Sequence, residues 1–303
     1  MSRSDTFRNL LTLRWRGAAA RRRERRLAFF VAGAQKGGTT TLDRLLRLHP
    51  DIELPHSRKE LHYFDDDTAF DGDRPRDGYA ALQAEFYFDR AVAGEVTPSY
   101  VYWAAALPSI RTYNPAARIV VLLRNPVLRA WSHWGHLDRK TRENGRADAR
   151  LDPFVERLER EARARRKNDS HQDLGLSHVG RGLYAPQIAR ARSLFPDEQL
   201  LFLKSERFFG APHGVADEVC RFLGLAPLTA VASPRAFHAN AGSASPISRE
   251  DWEAALPYFA ADIDAVETLL GWDCGDWRKP PRFGPGEDDG GLTRPALRAT
   301  PAR

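Results

Sequence analysis

The chain has 303 residues, a length that suits one large α/β domain or two smaller domains. Its hydrophobic content of 42% is ordinary for a globular protein, and its net charge of +6, carried mostly by arginine, favours anionic ligands. Cys220 and Cys274 are too few for a disulfide framework, which predicts buried thiols in a reducing, cytoplasmic setting. No stretch approaches the roughly 18 consecutive apolar residues of a membrane span, so the sequence predicts no transmembrane segment.

Composition divides the chain into three parts. Residues 1–26 are basic and lack the apolar run of a secretory signal, so we expect a flexible, solvated segment. Peripheral contact of residues 3–26 with a membrane surface is the alternative. Residues 27–279 are predicted to form the globular domain. The tail 280–303 is rich in Pro, Gly, Asp and Arg, and is predicted to be disordered.

Continuous apolar runs predict buried strands at residues 27–33, 92–96, 118–123 and 199–203. Helical spacing of apolar residues predicts helices at 39–49, from Pro126 onward, and at 152–167, 216–223 and 252–270. Asn125 is a suitable N-cap for the helix that Pro126 begins. Strands that alternate with helices predict an α/β fold, a P-loop-like three-layer sandwich whose central, mainly parallel sheet is flanked by helices.

Residues 33–41 (GAQKGGTTT) lie between the first strand and the first helix, where ligands bind in such sheets. Glycines let this turn curl so that its amide groups face inward, and the helix start adds a partial positive charge. A tight turn with an incidental lysine is the alternative. We favour a phosphate site, whose predicted residues are Lys36, Gly37, Gly38, Thr39 and Thr40.

The turn differs from the P-loop of kinases and NTPases, G-x-x-x-x-G-K-[ST]. Gly33 and Gly38 have the P-loop glycine spacing, but Thr39 follows them and the lysine comes three positions earlier, at Lys36. A kinase also needs an acidic Mg²⁺ ligand near the end of a neighbouring strand, whereas the strand 118–123 leads into Arg124. The sequence therefore predicts a phosphate site that requires no metal, with a P-loop kinase or NTPase as the alternative function.

Two segments resemble the sulfotransferases that use PAPS (3′-phosphoadenosine 5′-phosphosulfate). Residues 34–41 (AQKGGTTT) resemble their 5′-phosphosulfate loop, and residues 118–133 (RIVVLLRNPVLRAWSH) resemble their 3′-phosphate motif. Residues 59–65 (KELHYFD) and 95–100 (EVTPSY) narrow the resemblance to the heparan sulfate 3-O- and N-sulfotransferases and their bacterial relatives. Val96 replaces a lysine of the 3-O group. The resemblance covers roughly residues 27–277.

The resemblance implies transfer of a sulfuryl group from PAPS to a hydroxyl or amine of a carbohydrate or small natural-product acceptor, with PAP as the other product. Arg124 and Ser132 are expected to hold the 3′-phosphate, because the fork of an arginine binds two oxygens. Lys36 is our candidate to stabilise the leaving oxygen, since a flexible ammonium can follow the charge that forms there.

Glu60 is the first candidate for the general base, as the resemblance also implies. The alternative is a surface acid that pairs with Lys59 or Arg58. A carboxylate in a partly closed cleft can acquire a raised pKa that suits this work. His62 is the second candidate, because a histidine base serves in the cytosolic branch of the superfamily. A structural, hydrogen-bonding histidine is the equally weighted alternative.

Asp65 is predicted to orient one of these groups. Glu95 is predicted to orient Lys36 or an acceptor hydroxyl, or to cap the next helix.

Three further expectations concern partners and the C-terminal part. His133 and His136 are spaced for one helix face but lack a clear third ligand, so no zinc site is expected. Nucleic-acid binding is not expected, although an Arg-rich nucleic-acid or membrane-surface protein is an alternative from another class. Residues 237–243 (FHANAGS) lack the basic residues of the family's K-G-R loop, so nucleotide contacts from this loop are not expected. We expect Phe237 to be an ordinary buried residue, with stacking on adenine as the alternative.

Overall fold

The computed structural model describes residues 25–72, 74–76, 78–144, 152–166, 177–231 and 246–281. Most of the predicted basic segment, most of the predicted disordered tail, and residues 237–243 lie outside the described residues. The predictions made for them stay predictions.

The described residues contain seven strands: β1 (Phe29–Gly33), β2 (Ile52–Glu53), β3 (Phe70–Asp71), β4 (Arg74–Pro75), β5 (Val92–Val96), β6 (Arg118–Leu123) and β7 (Leu200–Lys204). Five of them form one parallel sheet in the order β2-β5-β1-β6-β7. The pair β3-β4 is antiparallel and separate from this sheet. Because all neighbours in the large sheet are parallel, the carboxyl ends of its strands meet at one edge.

The helices of the described residues are α1 (Thr39–Leu46), α2 (Ala80–Ala84), α3 (Ala106–Tyr113), α4 (Pro126–Glu143), α5 (Phe154–Arg166), α6 (Ala185–Leu194), α7 (Ser205–Gly210), α8 (Pro212–Phe222), α9 (Leu228–Val231), α10 (Arg249–Ala255), α11 (Ala260–Leu270) and α12 (Gly275–Arg278). None of them combines the length and the apolar character that crossing a membrane requires.

Two hydrophobic cores lie on opposite faces of the sheet. Alternate residues of β1 divide between them, because side chains along a strand point to opposite faces. Phe30 packs in one core with apolar residues of α3, α4 and α6, whereas Phe29 packs in the other with residues of α1 and α8. Both rings are fully buried, and each stabilises the fold by roughly 1.5–3 kcal/mol. The three-layer α/β sandwich predicted from the sequence is confirmed.

The predicted strands agree closely with the structure. The strands predicted at 92–96 and 118–123 have the bounds of β5 and β6. β1 begins two residues later than predicted, and β7 is displaced by one residue. Buried parallel strands are easy to locate, because both faces of the strand demand apolar side chains.

The helix predicted over 252–270 is wrong as a single element. α10 and α11 occupy this stretch, separated by a 3₁₀ turn at Leu256–Tyr258. Pro257 explains the break, because proline lacks an amide donor and its ring clashes with the preceding turn of a helix. The cap of α4 is confirmed: the Asn125 side chain accepts hydrogen bonds from the amides of Val127 and Leu128 at 3.0 and 3.2 Å.

Candidate active site

The turn between β1 and α1 folds back on the neighbouring strand β6. The Ala34 amide donates to the Leu122 carbonyl at 2.8 Å, and the Gly37 amide donates to the Ala34 carbonyl at 2.9 Å. A Cβ atom at Gly37 would lie 2.6 Å from the Leu122 oxygen, so a larger residue would push the turn away from the sheet. The close approach of the two backbones therefore requires glycine here.

The start of α1 completes this turn at the carboxyl edge of the sheet. Gly38 has a φ of 103°, which glycine adopts without strain. The first amide groups of a helix have no intrahelical acceptor and carry the positive end of its dipole. Thr39 is buried at this position and Thr40 is exposed beside it. A phosphate-sized anion is the ligand that such a helix start fits.

Arg124, which follows β6, connects the second predicted phosphate motif to the turn. Its Nη1 atom donates to the carbonyl oxygen of Lys36 at 3.0 Å. Its own carbonyl accepts from Tyr184 Oη at 2.8 Å, and the ring centroid of Phe209 lies 5.5 Å from its Cζ atom. Ser132 lies about two turns into α4 and is half-buried. The two predicted phosphate motifs thus meet at one edge of the sheet.

Lys36 lies among several positive charges. Burial lowers the pKa of its ammonium to about 8, and repulsion from Arg139, Arg124 and Arg129 acts in the same direction. The carboxylate of Glu60 partly offsets these effects. An anionic ligand would relieve the repulsion in this cluster, so the site is electrostatically prepared for negative charge.

Glu60 belongs to the loop between β2 and β3, and its carboxylate contacts two basic side chains. Lys59 Nζ lies 2.5 Å from Oε1, and His62 Nε2 lies 3.4 Å from Oε2. The Nδ1 atom of His62 lies 2.9 Å from Oδ2 of the buried Asp65, which also accepts a hydrogen bond from Ser99. Asp65 therefore orients His62, and the three groups form one connected chain of acid and base.

The expectation of a raised pKa for Glu60 is wrong. Burial does raise it, but hydrogen bonds from His62 and Lys59 outweigh burial and lower the pKa to about 2. Hydrogen bonds to Asp65 and Glu60 raise the pKa of His62 to about 10, against the effect of burial. At neutral pH the pair is an imidazolium facing an ionised carboxylate, a state that favours Glu60 over His62 as proton acceptor.

Glu95 is fully buried in β5 and supports the loop that carries the predicted base. Its carboxylate accepts hydrogen bonds from the Leu61 amide at 3.2 Å, from Thr97 Oγ1 at 2.6 Å and from Tyr100 Oη at 2.8 Å. Burial raises the pKa of Glu95 to about 7, although these hydrogen bonds act against it. The structure thus gives Glu95 a different role from the predicted ones, because it holds the backbone next to Glu60.

Comparison with known proteins connects this arrangement to a family. A family model described as a sulfotransferase domain matches residues 27–240, which include the turn, Arg124 and the Glu60 group. The chain belongs to the sulfotransferase family. A crystal structure of a sulfotransferase from Alicyclobacillus acidocaldarius shares the fold, with a TM-score of 0.66 and 29% identity over 84% of this chain and 100% of that one. The P-loop-like sulfotransferase fold predicted from the sequence is therefore confirmed.

Relatives among characterised proteins point to one group within the family. Heparan sulfate glucosamine 3-O-sulfotransferase 6 of Mus musculus is 32% identical over 227 residues, 75% of this chain and 60% of the relative. Heparan sulfate glucosamine 3-O-sulfotransferase 3B1 of Homo sapiens is 30% identical over 195 residues, 64% of this chain and 45% of the relative. This sulfotransferase thus spans three fifths or less of the length of these relatives. The predicted resemblance of the chain to heparan sulfate 3-O-sulfotransferases is confirmed.

Helix α7, which is not predicted from the sequence, supports the turn between β1 and α1 and the start of α4 in this sulfotransferase. Ser205 Oγ donates to the Gly37 carbonyl at 2.7 Å, and Glu206 accepts from the Asn125 amide at 2.8 Å. Phe209 remains 39% exposed while its ring lies over an arginine of the site. Its position in the sequence could have indicated this role, because α7 follows β7 directly, at the edge where ligands bind in parallel sheets.

The histidines weighed as metal ligands do not converge. His133 is buried against the ring of His178, with 4.6 Å between the ring centroids, whereas His136 is exposed. In the part of the chain that the structure describes, no group of three or more His, Cys, Asp and Glu side chains is placed to hold a metal ion. A metal-free reaction stays a prediction for this sulfotransferase.

Proposed function

We propose that this sulfotransferase transfers the sulfuryl group of PAPS to a hydroxyl or amine of a carbohydrate or small natural-product acceptor, and releases PAP. The observation that supports this most directly is the hydrogen bond from Arg124 to the Lys36 carbonyl. It ties the predicted 3′-phosphate motif to the predicted 5′-phosphosulfate turn. A donor nucleotide with anionic groups at its 3′ and 5′ positions would contact both motifs.

The residues present fit such a donor. Glycine at positions 37 and 38 lets the turn pack closely against β6 and α7, because a Cβ atom at either position would meet neighbouring atoms. The amides and hydroxyls of Thr39 and Thr40 then hold the 5′-phosphate at the helix start. Arg124 and Ser132 hold the 3′-phosphate.

The transfer is an in-line displacement. An acceptor oxygen attacks the sulfur, the bond from sulfur to the bridging oxygen breaks, and the electron pair leaves with the 5′-phosphate of PAP. The ammonium of Lys36 stabilises the negative charge that develops on the leaving oxygen. Binding both reactants in this geometry supplies much of the rate, because it replaces a bimolecular encounter.

Glu60 accepts the acceptor proton as the new bond forms. Its low pKa keeps the carboxylate ionised throughout the neutral range, so the base is always in the required state. The acceptor hydroxyl becomes strongly acidic as its oxygen bonds to sulfur, so a weak base suffices late in the step. Contacts with Lys59 and His62 lower the pKa of Glu60. An acceptor that displaces one of them from the carboxylate therefore raises the pKa of Glu60 and makes it a stronger base.

The direct test of this function is transfer from radiolabelled PAPS across sugar, phenolic and lipid-linked acceptors, with and without EDTA. We expect labelled product from at least one class of acceptor, in equal yield with the chelator. The names of the relatives assign them to heparan sulfate glucosamine, so a glucosamine-containing oligosaccharide belongs in the sugar set. Mg²⁺-dependent ATP hydrolysis without any transfer from PAPS would contradict the proposal.

A further inference from the structure

Lys59 lies between the two halves of the proposed reaction. Its Nζ atom is 3.4 Å from Oγ1 of Thr39, in the donor turn, and 2.5 Å from Oε1 of Glu60, the proposed base. Its side chain is only 18% exposed. The ammonium therefore connects the start of α1 to the loop that carries the proposed base.

This position coincides with the path of the transferred group. The donor's 5′-phosphate is proposed to bind at Thr39, and the acceptor oxygen is proposed to meet Glu60. A sulfuryl group that moves from one to the other must pass beside the atom that touches both side chains. Its three non-bridging oxygens carry negative charge throughout, and a half-buried cation stabilises such charge more than one in water does.

The hydrogen-bonding capacity of Lys59 also fits this role. An ammonium has three N–H donors and no acceptor. Thr39 and Glu60 are the acceptors that the described residues offer it. A sulfuryl oxygen is a third acceptor of suitable charge, and the flexible stem of lysine lets the ammonium follow it by a short movement.

We propose that Lys59 is a second catalytic cation, which binds the oxygens of the sulfuryl group during transfer while Lys36 stabilises the leaving oxygen. The inference rests on the proposed function. Lys59 keeps its proton in this step: the sulfur exchanges its bond to the bridging oxygen for a bond to the acceptor oxygen. The acceptor proton goes to Glu60, and the displaced electron pair leaves with PAP.

The first test compares two nucleotides that differ only in the sulfuryl group. Lys59→Met keeps most of the length of the side chain and removes its charge and donors. We expect Lys59→Met to weaken PAPS binding by about tenfold, the effect of one lost charged hydrogen bond, and to change PAP binding less than twofold, both by calorimetry without acceptor. Lys279→Met, at an exposed lysine outside the site, is the matched control.

The outcomes of this comparison are distinct. Equal affinity of wild type and Lys59→Met for PAPS overturns the role of Lys59. Equal losses for PAPS and PAP also overturn it, because the lysine then acts on the shared nucleotide. If Lys59→Met fails to fold, it shows no thermal transition and binds neither ligand. Lys59→Arg, which keeps the charge, is then measured instead. We expect Lys59→Arg to bind PAPS within threefold of wild type. If wild type binds neither nucleotide, it is the proposed function that fails.

A second test separates this role from simple support of the base. Lys59→Met is combined with Glu60→Gln, and turnover is measured with the acceptor that wild type uses best. If Lys59 binds the sulfuryl oxygens, the substitution slows turnover by a similar factor, on the order of 30-fold or more, in both backgrounds. If Lys59 only positions Glu60, it causes no further loss once Glu60 is replaced, and that result overturns the proposal.

Discussion

Lys36 shows how the surroundings of one residue set its chemistry. Its residue type predicts an ammonium that is fully charged at any physiological pH. In the structure, burial and neighbouring arginines lower its pKa to about 8, so its charge titrates just above neutrality. Bound phosphate groups would reverse part of this shift, and donor binding should therefore couple to proton uptake.

We predict that PAP binding weakens as the pH rises above 8. The free protein must take up a proton on Lys36 before it binds with full strength, so the dissociation constant should rise roughly tenfold between pH 7 and pH 9.5. Lys36→Arg should bind with an affinity that stays flat over this range, because arginine keeps its proton. Calorimetry at four pH values measures both curves. A wild-type curve as flat as that of the arginine variant would remove Lys36 from the phosphate site.

The sequence predicts which side chains come together better than it predicts their protonation states. Lys36, Arg124 and Glu60 can be selected from the sequence because residue type and motif agree. The pKa of Glu60 is not, since it depends on hydrogen bonds from Lys59 and His62 that only the folded loop creates. Motifs specify which groups are present, whereas the tertiary structure decides which of them hold protons.

At the scale of elements, the short helix α7 has more influence on the site than its length suggests. It begins at the end of β7, contacts the turn between β1 and α1 through Ser205 and places the ring of Phe209 over the guanidinium of Arg124. The ring also borders Gly38, where a Cβ atom would lie 3.0 Å from Phe209 Cε1. One aromatic side chain thus restrains both predicted phosphate motifs.

Phe209→Ala should weaken PAP binding about fivefold, the range of a partly exposed contact between a cation and an aromatic ring. The fold should persist, because the ring is 39% exposed. Tyr87→Ala is the control, since Tyr87 is 63% exposed and packs on His56 instead. Titration of both variants with PAP measures the effect. Unchanged affinity in Phe209→Ala would show that Arg124 keeps its orientation without the ring.

The elements that the sequence predicts are those with strong periodicity. β5, β6 and the start of α4 are located to the residue, because apolar runs and the Asn125-Pro126 cap leave little choice. The short elements, such as α7, α2 and the pair β3-β4, are not predicted. A helix of one or two turns has too few positions for a pattern, and it exists because of the packing around it.

At the scale of the whole molecule, Glu95 couples the stability of the sheet to pH. The carboxyl group is fully buried in β5 and its pKa is raised to about 7 from an ordinary value of 4.5. The folded state therefore favours the protonated form more than the unfolded state does. The stability that this group contributes is complete below pH 4.5 and is lost as the pH rises through 7.

Glu95→Gln should remove this pH dependence, because the amide cannot ionise and its oxygen can still accept hydrogen bonds. At each pH we compare the melting temperature of Glu95→Gln with that of wild type. The difference, variant minus wild type, should increase by about 5 °C between pH 5 and pH 8. The difference at each pH cancels the contributions of other titrating groups. Thermal unfolding followed by circular dichroism measures it. A difference that is constant with pH would mean that Glu95 is ionised in the folded protein at pH 5.

The proposed function requires one nucleotide with anionic groups at its 3′ and 5′ positions to bind at the carboxyl edge of the sheet. Calorimetric titration of the full chain with PAP, with AMP as the ligand that lacks the 3′-phosphate, tests it most directly. We expect tight binding of PAP without added metal, at least 30-fold weaker binding of AMP, and loss of that difference in Arg124→Ala. If the folded protein does not bind PAP, or binds PAP and AMP equally, the proposed function is wrong.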